Sequence, residues 1–428
     1  MSAPSRAFRG RAVGKLRRNR MALVAMFVVG IYALIGVWLT AADIAVAASA
    51  GEGGDFAGDD RGSLFTAMTL DKVDSRVGPL GRRGWFEDEL PEARARHVKY
   101  YLGKVQKALR LKEPTYRAAA LDAIRFGEHR IAVSEDQARS IADAIDKGYH
   151  DLDSIGDLDA PEARDSLPRL AALEQQIESL FTPLTGWRAV MYDFRMSLGT
   201  DRQGRSTAAR AVYSIKVALQ IGLIVGLISV LLGAVLGAAA GYYGGWIDHA
   251  VQWLYSTLSS VPDLVLLAVL AYMFTGSYFD DTSRPFISLI PVYAAMCMTF
   301  WIGPCRVIRG ETLKLKELEY VQAAKAIGYS RPYILLRHVL PNTLHLMFIN
   351  FSLLFIAAIK FEVVLSFLGL GVKAGPSWGR MIGEATQEVI NGNFWQIGAA
   401  TAFMFVLVLA FNVLSDALQD AFDPKHVG

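Results

Sequence analysis

The sequence predicts an all-α membrane protein, with six transmembrane helices and a mostly helical insertion between the first and the second. Three observations carry this. Of 428 residues, 53% belong to the hydrophobic set, and the mean hydropathy is +0.29, more apolar than a soluble globular chain and far too apolar for disorder. Charge is unevenly placed: about 50 of the 85 charged residues lie between Asp43 and Arg205, which leaves the remainder as sparsely charged as a membrane protein. That remainder also contains six largely uncharged runs long enough to cross a bilayer core, which takes about 20 residues of helix. None alternates polar and apolar residues, so the runs are helices and not barrel strands.

The first 20 residues form a basic tail, with Arg6, Arg9, Arg11, Lys15, Arg17, Arg18 and Arg20 and no acid, which assigns the N-terminus to the cytoplasm. Met21 to Ala42 is the first span (21–43). It competes with a secretory signal peptide, because Ala45-Val46-Ala47 and Ala48-Ser49-Ala50 resemble cleavage sites. The run exceeds the 7 to 15 apolar residues of a signal peptide, and an uncleaved anchor is favoured. The insertion (44–205) is then extracytoplasmic. Its helices are expected at Pro91 to Lys112, Pro114 to His129, Glu135 to Lys147 and Glu162 to Leu180, with Ser134-x-x-Gln137 as a capping box and Gly148 as a stop. The transmembrane domain (206–428) follows, with spans expected at Val217 to Ile247, Ala250 to Phe279, Pro285 to Cys305, Leu346 to Val372 and Val389 to Ser415. Six crossings return the C-terminus to the cytoplasm. Arg306 to His345 becomes a cytoplasmic loop, in which Arg306, Arg309, Lys314, Lys316, Lys325, Arg331 and Arg337 agree with the charge rule.

Within that loop the pattern predicts two short helices. Leu315, Leu318, Val321 and Ala324 recur along one face, and Gly328 ends the first helix. Ser330 is placed to cap the second, Pro332 fits its first turn, and Pro341 ends it. The small pair Ala323 and Ala324 leaves room for close approach by another surface. Two short amphipathic helices suit a groove on a partner; an amphipathic loop resting on lipid headgroups is the plainer alternative.

The segment Gln322-Ala323-Ala324, three residues, Gly328, nine residues, then His338-Val339-Leu340-Pro341 resembles the EAA loop of permease subunits of ABC importers. Leu198-Gly199-Thr200-Asp201-Arg202-Gln203-Gly204-Arg205 is similar to the LGTD-x-x-GRD segment of the oligopeptide and dipeptide (Opp/Dpp) permeases. Gly241-Tyr242-Tyr243-Gly244-Gly245, the run Leu365 to Gly371, Pro376-Ser377-Trp378-Gly379 and Asp420 to Pro424 extend the resemblance to the C-type subunit. It implies a MetI-like transmembrane domain and a loop, about 309–342, that docks on a separate ATPase through Glu319, Gln322, Ala323, Ala324, Gly328 and Pro341. The chain itself would be non-catalytic and carry no cofactor, with ATP and Mg bound by that partner. A homologous B-type permease, cytoplasmic ABC ATPase subunits, an extracytoplasmic substrate-binding protein and membrane lipid are the implied partners, in a bacterial cytoplasmic membrane. The expected cargo is peptides or similar small solutes. Gln322 stands where the family usually has Glu, Ser206 where it usually has Asp, and the insertion is about 100 residues longer than typical.

Residues outside the loop carry weaker signals. Asp263, Lys360 and Glu362 lie inside spans, where ionisable groups are functional candidates by default. Glu362 is read as lining the translocation path or its outer gate, or as a structural hydrogen-bonding group, and Lys360 as a partner for Asp263. Asp151, Asp153, Asp157, Asp159 and Glu162 follow a calcium-loop spacing, but Ile155 and Pro161 break it, and a solvated acidic linker competes. With two cysteines, Cys297 and Cys305, in one apolar run, neither a disulfide framework nor a zinc cluster is expected. A nucleic-acid binder would concentrate basic excess on a soluble domain, so that class is excluded. No G-x-x-x-x-G-K-[ST] occurs; Gly10 to Leu16 has the wrong spacing. An ATP-independent secondary transporter or channel is the alternative, which would need its own ion-coupling charges.

Overall fold

The computed structural model describes residues 19–49, 91–122, 124–126, 129–130, 134–153, 167–180, 186–275, 289–372, 375–390 and 392–422. Nearly all of the regular structure is helical, and it divides into two units. The first unit holds residues 1–66, 211–384 and 400–428; the second holds 67–210 and 385–399.

In the first unit, α1 (Arg20–Ser49) starts at Asn19, whose side-chain oxygen accepts from the backbone N–H groups of Met21 (3.0 Å) and Ala22 (3.3 Å). Its core face includes Ala22, Ala25, Tyr32 and Leu39, and the Tyr32 hydroxyl donates to the Phe403 carbonyl at 3.0 Å. Asp43 accepts from the Tyr213 hydroxyl (2.8 Å) and pairs with Lys216. These contacts tie α1 to α16 and α7.

The second span begins earlier than its apolar run suggests, as α7 (Thr207–Tyr243). The expected third span, Ala250 to Phe279, is instead a bent pair, α8 (Gly245–Leu258) and α9 (Asp263–Thr275), with 89° between them. Pro262 causes the break: it has no N–H to donate and forces Val261 away from helical geometry. Arg306 stabilises the bend by donating to Ser259 Oγ (2.9 Å) and lying over the Tyr255 ring (4.6 Å). Among the described residues five helices are long and apolar enough to cross a membrane, or six if the bent pair is one broken span. The fourth, α10 (Ile290–Phe300) and α11 (Ile302–Leu315), runs well past Cys305. Then come α12 (Glu319–Ala326), α13 (Arg331–Ile334) and α14 (Leu344–Phe367). The expected run from Val389 contains a break, because α15 (Trp378–Ile390) stops before Gly392 and α16 begins at Trp395 and ends at Phe422. One core joins α1, α7, α14, α15 and α16 through Tyr32, Ile215, Phe355, Ile359, Trp378, Met381 and Leu407.

The second unit has its own apolar core. α2 (Pro91–Leu109) contributes Val98, Tyr101, Leu102 and Val105, and packs against α4 (Glu135–Asp153) through Ala138, Ala142 and Ile145 and α5 (Leu167–Glu178) through Leu173 and Ile177. The capping box forms as read: Gln137 N–H donates to Ser134 Oγ (3.4 Å) and Ser134 N–H to Gln137 Oε1 (3.2 Å). Two expectations fail. α3 (Pro114–Asp122) ends early, and a two-residue antiparallel ladder, β1 (Arg125–Phe126) with β2 (His129–Arg130), replaces its last turns. Gly148 does not stop α4; a Cβ there would stand 2.8 Å from a Leu173 methyl, so glycine serves a close helix contact.

After α6 (Trp187–Met196), in the same unit, the Leu198 to Arg205 motif becomes a knot around Asp201. One carboxylate oxygen accepts from the N–H groups of Gln203 and Arg205 (2.9 Å each), the other from Arg205 Nε (2.7 Å) and Arg210 Nη1 (2.5 Å). Asp201 and Arg210 are both 2% exposed, so each buried charge is held against its opposite. Ser206 Oγ accepts from Ala209 N–H at 3.1 Å, capping α7, and donates to the Arg195 carbonyl at 2.6 Å, a bond the family's aspartate could not make.

Candidate functional site

The loop expected to carry function is an elbow built on α11. Gly237 lets α7 lie directly on α11: a Cβ there would come within 2.4 Å of the Cys305 carbonyl. Asp248 of α8 takes a two-pronged contact from Arg309 of α11, Nε at 2.5 Å and Nη2 at 2.7 Å. α11 therefore meets the elbow already braced against α7 and α8. Sequence reasoning missed this pair; the only signal was an acid and a base facing each other across two loops assigned to one side of the membrane.

α12 packs inward through Val321 and Ala324, which join Leu315, Ile334 and Val339 in a small core. It ends in a full Schellman arrangement, with Tyr329 N–H donating to the Ala324 carbonyl (3.2 Å) and Gly328 N–H to the Lys325 carbonyl (3.1 Å), and Gly328 at φ +94°. No residue with a Cβ adopts that backbone cheaply. The expected helix face is only partly right, since Leu318 sits at the N-cap and is exposed. The small pair also divides: Ala324 is buried in the chain's own core and only Ala323 is exposed.

Ser330 occupies the N-cap of α13 without a side-chain bond, and Pro332 lies in the first turn. Pro341 does not end the segment. The chain passes from α13 into a π turn (Leu335–Val339), a 3₁₀ turn (Leu340–Thr343) and α14, one continuous helical stretch from Arg331 to Phe367. A proline clashes with the carbonyl four residues back and cannot bond it. Here Leu340 N–H donates to the Leu335 carbonyl, one residue further than in an α-helix, and the widened winding makes room for Pro341.

Gln322 turns back on its own chain: Nε2 donates to the Lys316 carbonyl at 2.8 Å, where α11 ends. The acceptor can only be met by the amide nitrogen, so the glutamate usual in the family could not make this bond. Outward lie Glu319, Ala323, Gly328 and Pro341, together with an apolar and aromatic surface that the sequence reading passed over. Tyr329 and Tyr333 stack at 4.8 Å; Tyr320, which accepts from Asn342 Nδ2 at 2.8 Å, and Ile327 and Leu336 are also exposed.

The three intramembrane charges are not one site. Glu362 is 1% exposed; the Ser366 hydroxyl donates to it at 2.6 Å and Ser377 hydrogen-bonds the same carboxylate. Ser366 also accepts from Val372 N–H at 3.0 Å, and a Cβ on Gly379 would stand 2.7 Å from the Ser366 Cβ, so the Leu365 to Gly371 and Pro376 to Gly379 motifs close on each other. Lys360 and Asp263 are exposed, and the expected pair between them does not form. Asp263 instead opens α9 beyond the bend, where a carboxylate suits a helix N-terminus. For the calcium spacing, α4 runs through Asp153, so Asp151 and Asp153 are helical and not loop residues. Asp157, Asp159 and Glu162 fall outside the described residues. Among the described residues no group of three or more His, Cys, Asp or Glu is placed to hold a metal.

Residues 233–427 match the family model for the binding-protein-dependent transport system inner membrane component. The chain is 36% identical over 228 residues to the dipeptide transport system permease protein DppC of Bacillus subtilis (strain 168), covering 53% of this chain and 68% of that one. It is 35% identical to the oligopeptide transport system permease protein OppC of Escherichia coli (strain K12), over 53% of this chain and 72% of that one. The glutathione transport system permease protein GsiD of Pectobacterium atrosepticum is likewise 35% identical, with 53% and 72% covered.

Proposed function

The chain belongs to the family of binding-protein-dependent transport system inner membrane components, and from that premise we propose how its elbow works. It is a multi-pass permease subunit of an ABC importer. In the proposed arrangement α12 and α13 form the coupling element, docking in a cleft of a cytoplasmic ATPase that binds the ATP and Mg. A homologous B-type permease completes the path, and an extracytoplasmic binding protein delivers the solute, of which small peptides are the class suggested by the relatives. The N- and C-termini and the elbow face the cytoplasm of a bacterial inner membrane, and residues 44–205 lie on the other side. Closure of the ATPase would push the elbow, and the braced α11 would pass that displacement to the bundle as alternating access.

The observation that carries the reading is the two-sided elbow. Val321 and Ala324 fix it to its own chain while Ala323, Gly328 and the tyrosines face outward. A loop lying on lipid would leave its aromatic residues at the interface but would not need Gly328 at positive φ to set the angle between two short helices. Co-purification with the partner permease and ATPase tests it. Wild type is expected to retain the ATPase, while Ala323→Asp and Gly328→Asp lose it or its stimulation. Transport that persists without ATP and without any ATPase would instead favour a secondary transporter.

A further inference from the structure

A groove of about 380 Å³ runs between α1 and α16. The same two helices are tied beyond the groove by the bond from Tyr32 to the Phe403 carbonyl. Its walls are Val24, Ala25 and Val28 on one helix and Val406, Leu409 and Val413 on the other, and the polar residue at its end is Arg20. Both walls belong to helices apolar enough to cross a membrane, so the medium that fills the groove is lipid. Arg20 is exposed and forms no ion pair among the described residues; Asp416, three residues past Val413, does not line the groove and does not pair with it. The preceding residues Lys15, Arg17 and Arg18 add positive charge in sequence, with no acid in the first 20 positions.

We propose that this groove is a specific site for an anionic phospholipid, with one acyl chain along the valine and leucine walls and the phosphate on the Arg20 guanidinium. Charge argues for lipid over a partner helix. From Arg20 to Val28 the wall is about 12 Å long and apolar, with a single base at its end, the charge pattern of an acyl chain beneath an anionic headgroup and not of an apolar helix face. The guanidinium supplies a permanent positive charge for the phosphate. The site is separate from the elbow, so its success or failure is independent of the coupling mechanism.

The test is native mass spectrometry of the full chain, purified with its partner subunits and titrated with phosphatidylglycerol or phosphatidylcholine. Wild type is expected to retain one phosphatidylglycerol under activation that strips phosphatidylcholine. Arg20→Gln should reduce that preference about fivefold, the equivalent of ~1 kcal/mol for one base at an anionic surface, and Arg20→Lys should restore most of it. Ala410→Phe, which fills the groove floor, should lose the bound lipid of either type. Equal retention by wild type and Arg20→Gln, or retention undiminished in Ala410→Phe, overturns the proposal. So does an oxidant-induced disulfide between Val24→Cys and a cysteine introduced into the partner permease, which would show the groove packed against protein.

Discussion

Restoring the family's glutamate at the elbow separates two readings of Gln322. If the position exists only to meet the ATPase, Gln322→Glu returns a charge and coupling holds or improves. If the amide holds the elbow, the same change removes its only donor and sets a carboxylate against the Lys316 carbonyl at the C-terminal end of α11. Losing the bond costs about 0.5–1.5 kcal/mol. A negative charge at a helix C-terminus adds about 0.3–1 kcal/mol, which falls at the low end because Gln322 is exposed and the carboxylate can swing into water. The sum, about 1–2 kcal/mol, displaces the elbow equilibrium by roughly five- to thirty-fold, tenfold per 1.4 kcal/mol. The assay is ATP hydrolysis by the reconstituted transporter, as the ratio of the rate with loaded binding protein to the basal rate. Gln322→Glu is expected to lower that ratio several-fold and Gln322→Ala by less, with subunit composition unchanged. A Gln322→Glu ratio at or above wild type refutes the role of the Lys316 contact.

Ser206→Ala should destabilise the fold by about 0.5–2 kcal/mol through loss of the α7 cap, and Ser206→Asp, which keeps the cap acceptor but cannot donate to the Arg195 carbonyl, should not restore wild-type stability; both are read by thermal unfolding in detergent. Gly237→Leu forces α7 away from the Cys305 carbonyl and should cost at least the ~1–3 kcal/mol of an overpacked core; unchanged unfolding would disprove the close crossing. Replacing Asp248 and Arg309 singly and together by alanine should give a coupling energy of about 0.5–3 kcal/mol in a double-mutant cycle, and additive losses would mean that the pair does not brace α11. Glu362→Ala leaves the Ser366 and Ser377 hydroxyls without their acceptor and should destabilise by ~1–3 kcal/mol, whereas Glu362→Gln, which keeps an acceptor, should recover most of it; equal losses would argue against the hydrogen-bonded cluster.

The helical membrane fold was legible because spans are written in composition: long uncharged runs admit few alternatives once backbone groups must bond internally. The stop at Gly328 and the box at Ser134 were legible for a related reason, each being a local pattern whose partners lie within five residues. What escaped depended on contacts distant in sequence. The bend at Pro262 was hidden by the apolar residues on either side, and Gly148 looked like a stop because Leu173 is 25 positions away. At the elbow, the inward turn of Gln322 depends on where α11 ends, and the division of Ala323 from Ala324 on how α12 rolls against Leu315 and Val339. The failed pairing of Lys360 with Asp263 shares that origin: membrane depth suggested opposite charges, and the bend removed one of them from the span.

Between the elbow and the Glu362 cluster, the backbone changes winding three times without interruption, from α to a five-residue π turn, then a 3₁₀ turn, and back to α. Such a join acts mechanically as a gear with one tooth to spare. Converting the wide turn to ordinary α winding re-pairs Leu340 with the carbonyl one residue nearer. It swings everything beyond by the ~100° that one residue subtends, and shifts it by about 1.5 Å along the axis. Torque applied at α12 and α13 thus has a place to be taken up, and Pro341 prevents the conversion from being free. Spin labels on α11 and α14, measured with and without ATP, would register the swing as a change in distance; a fixed distance across the cycle would mean that the stretch turns as one rigid shaft.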